Sequence, residues 1–113
     1  MKQGDVILTP VPQANGEIKN RPALILREMP SYGDLLVCGI SKQLNHDVKD
    51  FDEIISPDHE DFKSSGLLLQ SLIRLGFLAI LPRNQILGTI GKISKERHKR
   101  LLNSLSNYLT AEM

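Results

Sequence analysis

Pro22-Ala23-Leu24-Ile25-Leu26 and Leu35-Leu36-Val37-Cys38-Gly39-Ile40, separated by the turn residues Ser31-Tyr32-Gly33-Asp34, decide the fold of this chain. Both runs are near-continuously apolar and of strand length, which predicts two central β-strands. Toward the N-terminus, Val6–Thr9 is another short run, ended by Pro10 and Pro12. From Pro12 a polar stretch, Gln13-Ala14-Asn15-Gly16-Glu17-Ile18-Lys19-Asn20, predicts a long loop reaching to Arg21. Toward the C-terminus, Gln43, Asn45, His46, Asp47 and Asp50 predict a second mobile loop, and Glu53-Ile54-Ile55 a short edge strand. Pro57-Asp58-His59-Glu60-Asp61 predicts the start of a helical turn that Gly66 ends. Leu67–Leu81 is the longest apolar stretch. Its polar residues are Gln70, Ser71 and Arg74, and Gly76 sits in its middle, which predicts two strands or one bent strand.

Ser94 predicts the N-cap of a helix over Lys95–Leu109, with Glu96 placing negative charge in the first turn. Leu101, Leu102, Leu105, Tyr108 and Leu109 recur at helical spacing and form one apolar face, while Lys95, Arg97, Lys99 and Arg100 are expected to point largely elsewhere. Several β-runs followed by one amphipathic helix predict a mainly β fold, a small barrel with a C-terminal α-helix packed on it. The 113 residues suit one domain, 1–113.

Hydrophobic residues make up 41% of the chain and charged residues 24%, the balance of a soluble globular protein rather than a disordered one. Lys and Arg number 14 against 13 Asp and Glu, so a general electrostatic grip on duplex nucleic acid is excluded, and any nucleic-acid site is a local patch. Trp is absent and aromatics are few, which argues against a ring-rich surface for stacking bases. The single cysteine, Cys38, cannot form an internal disulfide and reads as a buried small hydrophobe in a reducing compartment. No stretch predicts a signal peptide or a membrane span, so a cytoplasmic location is expected. His46, His59, Asp58, Glu60 and Asp61 show no metal-ligand spacing, and no metal or other cofactor is expected.

Gly4-Asp5-Val6-Ile7-Leu8, Arg21-Pro22-Ala23-Leu24-Ile25-Leu26, Ile40-Ser41, Ser71-Leu72-Ile73-Arg74-Leu75 and Leu87-Gly88-Thr89-Ile90-Gly91-Lys92-Ile93-Ser94 occur in this order across nearly the whole chain. In that order and spacing they resemble the PemK/MazF toxin family of type II toxin–antitoxin systems. The resemblance implies an SH3-like small β-barrel of the CcdB/Kid/MazF type, a homodimer, and metal-independent cleavage of single-stranded RNA. It also implies a cognate antitoxin as partner, with operator DNA reached only through the antitoxin complex. On it rest three catalytic candidates, Arg21, Ser41 and Arg74, and four RNA-contacting candidates, Glu17, Lys19, Lys42 and His46.

The residue chemistry fits such a reaction. Cutting RNA without a metal requires a base for the attacking 2′-OH, donors for the charge that grows on phosphorus, and an acid for the leaving oxygen. Arg21 and Arg74 bring fixed guanidinium forks, and Ser41 a hydroxyl at a strand end. Their plain alternatives are a solvent-facing arginine, a structural ion pair and a turn serine. Two positions depart from the family pattern: Gly76 stands where many relatives have an acidic residue, and Ala79 where another group has an arginine. The obvious base is therefore missing, and Glu17 or His46 is the substitute on offer. The basic run Lys92, Lys95, Arg97, Lys99, Arg100 reads as a solvated face rather than an RNA track. Two other functions remain open on the same fold. A gyrase-directed toxin like CcdB is the weaker, since the chain ends Leu109-Thr110-Ala111-Glu112-Met113 without the terminal tryptophan of that group. A catalytically weak or inactive module acting through antitoxin or operator binding is the stronger, on account of Gly76.

Overall fold

Six antiparallel strands form the body of the described residues: β1 (Asp5–Pro12), β2 (Ile18–Glu28), β3 (Leu35–Ser41), β4 (Glu53–Ile55), β5 (Ser71–Leu81) and β6 (Gly88–Lys92). A single turn of helix, α1 (Phe62–Ser65), lies between β4 and β5, and the helix α2 (Lys95–Thr110) closes the chain. The computed structural model describes residues 1–112; Met113, the last residue of the C-terminal tail, lies outside the described residues. The strands form one sheet in the order β4-β5-β3-β2-β1-β6, curled into a half-barrel. The two long apolar runs, β2 and β3, are its centre.

Being central, both strands bury side chains on both faces. On one face Leu24, Leu26, Cys38, Ile40, Ile73 and Leu75 pack with Leu101 and Leu105 of α2. On the other a smaller core joins Ile7, Ala23, Ile25, Leu35 and Val37, with Ala79, Leu81 and Ile86 against it. A continuous rather than alternating apolar pattern is what two-sided burial demands. Ser94 caps α2, its side chain accepting from the Arg97 amide at 3.1 Å. One residue of β2, Leu26, is skipped in the ladder with β3, and its carbonyl accepts from His98 Nε2 at 2.8 Å, tying the helix to the sheet.

Three expectations are corrected. The first strand does not stop at Pro10: β1 runs to Pro12 and pairs with β2 as far as Pro12–Ile18, leaving only residues 13–17 as loop and putting Arg21 inside a strand. The Leu8 carbonyl accepts from the Leu87 amide on the β6 side, and by alternation Pro10 and Pro12 face that side, beyond Gly88, where β6 begins. Their missing N–H groups therefore leave no bond unmade. Second, Leu109 and Tyr108 are each 68% exposed rather than buried on the barrel; Leu101 and Leu105 make that contact, with Leu102 at its margin. Third, Arg97 points into the protein and is 5% exposed.

The stretch around Gly76 is one bent strand. Gly39 pairs with Arg74 but Cys38 pairs with Leu78, so Leu75, Gly76 and Phe77 bulge out of the ladder. Elsewhere two glycines permit a backbone contact: a Cβ on Gly91 would collide with the Ser64 carbonyl oxygen, and one on Gly66 with that of Ile90. Gly66 ends α1 at φ 75, as a left-handed cap. Through these contacts α1 sits directly on β6.

Candidate active site

The three catalytic candidates come to one face of the sheet. Partners in an antiparallel ladder project to the same face, and residues two apart in a strand do so as well. Ala23, Gly39 and Arg74 lie side by side across β2, β3 and β5. Arg21 is two residues before Ala23, and Ser41 two after Gly39 and paired with Leu72, so Arg21, Ser41 and Arg74 share that face. Arg21 is exposed, and Ser41 and Arg74 are half-buried. The small core of that face ends at Ala23; beyond it Thr9 and Leu72, the partners of Arg21 and Ser41, are buried, while Arg21 itself is exposed.

The partners of these groups are few. Arg21 Nη2 donates to Gln13 Oε1 at 3.3 Å. The Arg74 guanidinium carbon lies 5.9 Å from the Phe77 ring centroid, and among the described residues no carboxylate pairs with either arginine. By contrast Arg83 pairs with Glu28, Arg97 with Glu53 and Asp61, and Arg100 with Glu53. Ser41 Oγ accepts from the Gln43 amide at 3.0 Å, fixing the turn that leaves β3. Lys19, on β2, shares the Arg21 face, and Lys42 follows Ser41; both are exposed.

The two substitute bases stand farther off. Glu17 sits in the β1–β2 loop, its amide donating to Asn15 Oδ1 at 3.0 Å. It is four residue steps from Arg21, about 13 Å along the strand. His46 is exposed in a 3-10 turn, Leu44–His46, beyond the end of β3. Neither is brought into contact with Arg74. Gly76 is exposed in the bulge, its φ is not positive, and a Cβ there would meet only Phe51 Cε2, at 3.9 Å. The position accepts a side chain, so its glycine is not required by the backbone. Ala79 packs in the small core of the same face.

A second charged cluster, not apparent from the sequence, lies near the start of α2. Arg97 donates from Nε to Asp61 Oδ2 at 2.8 Å, from Nη2 to Asp61 Oδ1 at 3.1 Å and from Nη1 to Glu53 Oε1 at 2.8 Å. The Ser94 amide donates to Asp61 Oδ2 at 3.0 Å. Burial alone would push the Asp61 carboxyl up, but the Arg97 and Ser94 hydrogen bonds and the guanidinium charge outweigh it and hold the carboxyl down at about 2. Arg100 gains a raised pKa chiefly from its bonds to Glu53. The acids of residues 58–61 thus open a helical turn, as expected, and one of them also neutralises a buried arginine. A signal for it exists in the spacing: Arg97, Leu101 and Leu105 recur every four residues and form the buried stripe of α2. Burial pushes Cys38 up to about 12, with the Asp52 charge adding to it, so the buried thiol stays protonated at neutral pH. No described helix is long and apolar enough to cross a membrane.

Comparison with known proteins bears on this face. A search of the curated proteins found no match. Among solved structures, the Mycobacterium tuberculosis toxin MazF-mt6 is similar with a TM-score of 0.68 at 16% identity, the match covering 96% of this chain and 99% of that one. At that identity the likeness speaks for the fold, a half-barrel with a C-terminal helix. A sequence model of PemK-like, MazF-like toxins of type II toxin–antitoxin systems matches residues 2–109. The strings that suggested the family thus lie within a match spanning almost the full chain, and the chain belongs to the PemK-like, MazF-like toxin family of type II toxin–antitoxin systems.

Proposed function

We propose that this chain is a metal-independent endoribonuclease that cuts single-stranded RNA, with residues 1–113 working as one domain in the cytoplasm as a homodimer silenced by a cognate antitoxin. The observation that carries the reading is the common sheet face of Arg21, Ser41 and Arg74, on which neither guanidinium is neutralised by a carboxylate among the described residues. Elsewhere in the molecule Arg83, Arg97 and Arg100 are paired with acids and Arg27 donates to the Gln3 side chain, whereas Arg21 and Arg74 are the two cations brought to this face that are available to an anion. The RNA 2′-oxygen attacks the adjacent phosphorus, its proton passing to a base; the P–O5′ bond breaks, and the 5′-oxygen takes up a proton. A 2′,3′-cyclic phosphate remains. Arg21 and Arg74 stabilise the charge on the phosphorane oxygens, and Ser41 adds a hydrogen bond. Lys19, Lys42, Glu17 and His46 contact the strand on either side. Glu17 or His46 acts as base only if its loop moves toward the bound RNA, because neither bonds Arg74. Tyr108 and Leu109, exposed at the end of α2, offer apolar surface to a second copy. Operator DNA is reached only within the antitoxin complex.

The test is direct. Purified protein is incubated with a long single-stranded RNA, and the expected product ends in a cyclic phosphate and disappears when the 2′-OH at the cut is replaced by hydrogen. Arg21→Ala or Arg74→Ala should slow cleavage by about 10²–10³, as loss of one transition-state donor does, and Ser41→Ala by less. Uncut RNA would leave the second reading, a toxin-fold module that acts through antitoxin or operator binding. Gly76 favours that reading, since it withholds an acid where the bulge has room for one.

A further inference from the structure

Phe77 is 55% exposed in a chain with few aromatics, and its ring stands beside the unpaired Arg74. The bulge in β5 explains how it comes to be there. Leu75 is buried, Gly76 turns the strand outward, and Phe77 folds back across β3. A Cβ on Gly39 would lie 2.9 Å from Phe77 Cδ1, so the ring occupies the space a side chain at Gly39 would take. That space is on the face to which Arg74, the strand partner of Gly39, and Ser41, two residues beyond it, both project. The Arg74 cation lies 5.9 Å from the ring centroid, near the outer limit of a cation–π contact. The guanidinium stands over the ring at that distance, and more than half of the Phe77 surface stays exposed.

A planar apolar surface next to an uncompensated cation is how single-stranded nucleic acid is held, with the base on the ring and the phosphate on the cation. We propose that Phe77 is the stacking platform for one base of the strand whose phosphate lies at Arg74, and that Gly39 is the seat that admits the ring. The inference rests on the RNA reading above and adds a base-holding subsite to it. Scarcity of aromatics excludes a ring-rich surface, but one base needs one ring.

The experiment uses the full-length protein and fluorescein-labelled single-stranded 2′-O-methyl RNA, whose blocked 2′-oxygens cannot attack, with affinity read by anisotropy. Phe77→Ala and Phe77→Leu should each weaken binding by about 5- to 150-fold, the range for losing one base–aromatic stack, and Phe77→Tyr should restore it. A single abasic site is then walked along the strand. At one position the abasic site should weaken binding to wild type yet make little further difference to Phe77→Ala. Sedimentation should give all variants the wild-type mass. If wild type binds no strand, the RNA reading and this inference fall together. If wild type binds but Phe77→Ala and Phe77→Leu bind as well as it does, this inference alone is overturned. It is overturned equally if every abasic effect adds independently to the mutation, or if weakened binding accompanies a change of mass.

Discussion

Replacing Asp61 by Asn removes one charge from the buried pair with Arg97 while keeping nearly the same shape. Arg97 is 5% and Asp61 6% exposed, and both Asp61 oxygens accept from the guanidinium. Holding the carboxyl at about 2 instead of 3.8 corresponds to about 2 kcal/mol of stability at neutral pH. Breaking a buried pair costs about 3–5 kcal/mol when the other charge is left alone. Glu53 still pairs with Arg97 Nη1, so the expected cost of Asp61→Asn lies at the low end, near 3 kcal/mol. The sign with pH follows from the depressed value: this stability is fully present above about 3.8 and is lost as pH falls through about 2. Urea unfolding of both proteins at one fixed concentration, at pH 7 and at steps down to pH 2, measures the difference between them. It should be near 3 kcal/mol at pH 7 and should shrink by about 2 kcal/mol on reaching pH 2, where the carboxyl is half protonated. A difference under about 0.5 kcal/mol at pH 7, the scatter of a surface substitution, refutes the buried-pair reasoning. So does one that stays constant down to pH 2.

Leu101→Ala should destabilise the fold by about 2–5 kcal/mol, whereas Leu109→Ala should leave the isolated chain within about 0.5 kcal/mol of wild type; melting at low protein concentration separates them. Gly76→Asp, in open space and without positive φ, should fold normally and raise RNA cleavage, and an unchanged rate in a folded variant counts against an acid being the missing part. Cys38 should react with a soluble thiol reagent only as fast as the protein opens, and brisk labelling of the native chain at pH 8 would contradict its burial.

Central strands are legible in the sequence because burial on two faces writes a continuous apolar run, as in Leu24–Leu26 and Leu35–Cys38. The helix is legible from Ser94 and the leucine spacing. The length of β1 is not, since prolines read locally as terminators, and their harmlessness depends on where β6 begins. Arg97 reads as a solvent-facing cation because its partners, Asp61 and Glu53, are 36 and 44 residues away and only the folded chain supplies them. Arg21, Ser41 and Arg74 come from resemblance. Their common face depends on strand register and on the bulge between Arg74 and Leu78. Phe77 does not stand out in the sequence, because composition counts rings and does not say where one is held.

The contact between α1 and β6 bears on how such chains diverge. Gly66 and Gly91 meet carbonyls at distances that no Cβ tolerates, so neither position can drift unless the backbone of both elements moves. Strand residues in the core can exchange Leu, Ile and Val freely by comparison. Where identity has fallen to 16%, as with the mycobacterial toxin, short strings such as Arg-Pro lose their value as landmarks. A glycine ending a one-turn helix, matched with a second glycine in the strand before the last helix, is a landmark fixed by geometry. Relatives that keep this docking should retain both glycines long after their site residues have changed, and the pair offers a register by which distant sequences can be aligned.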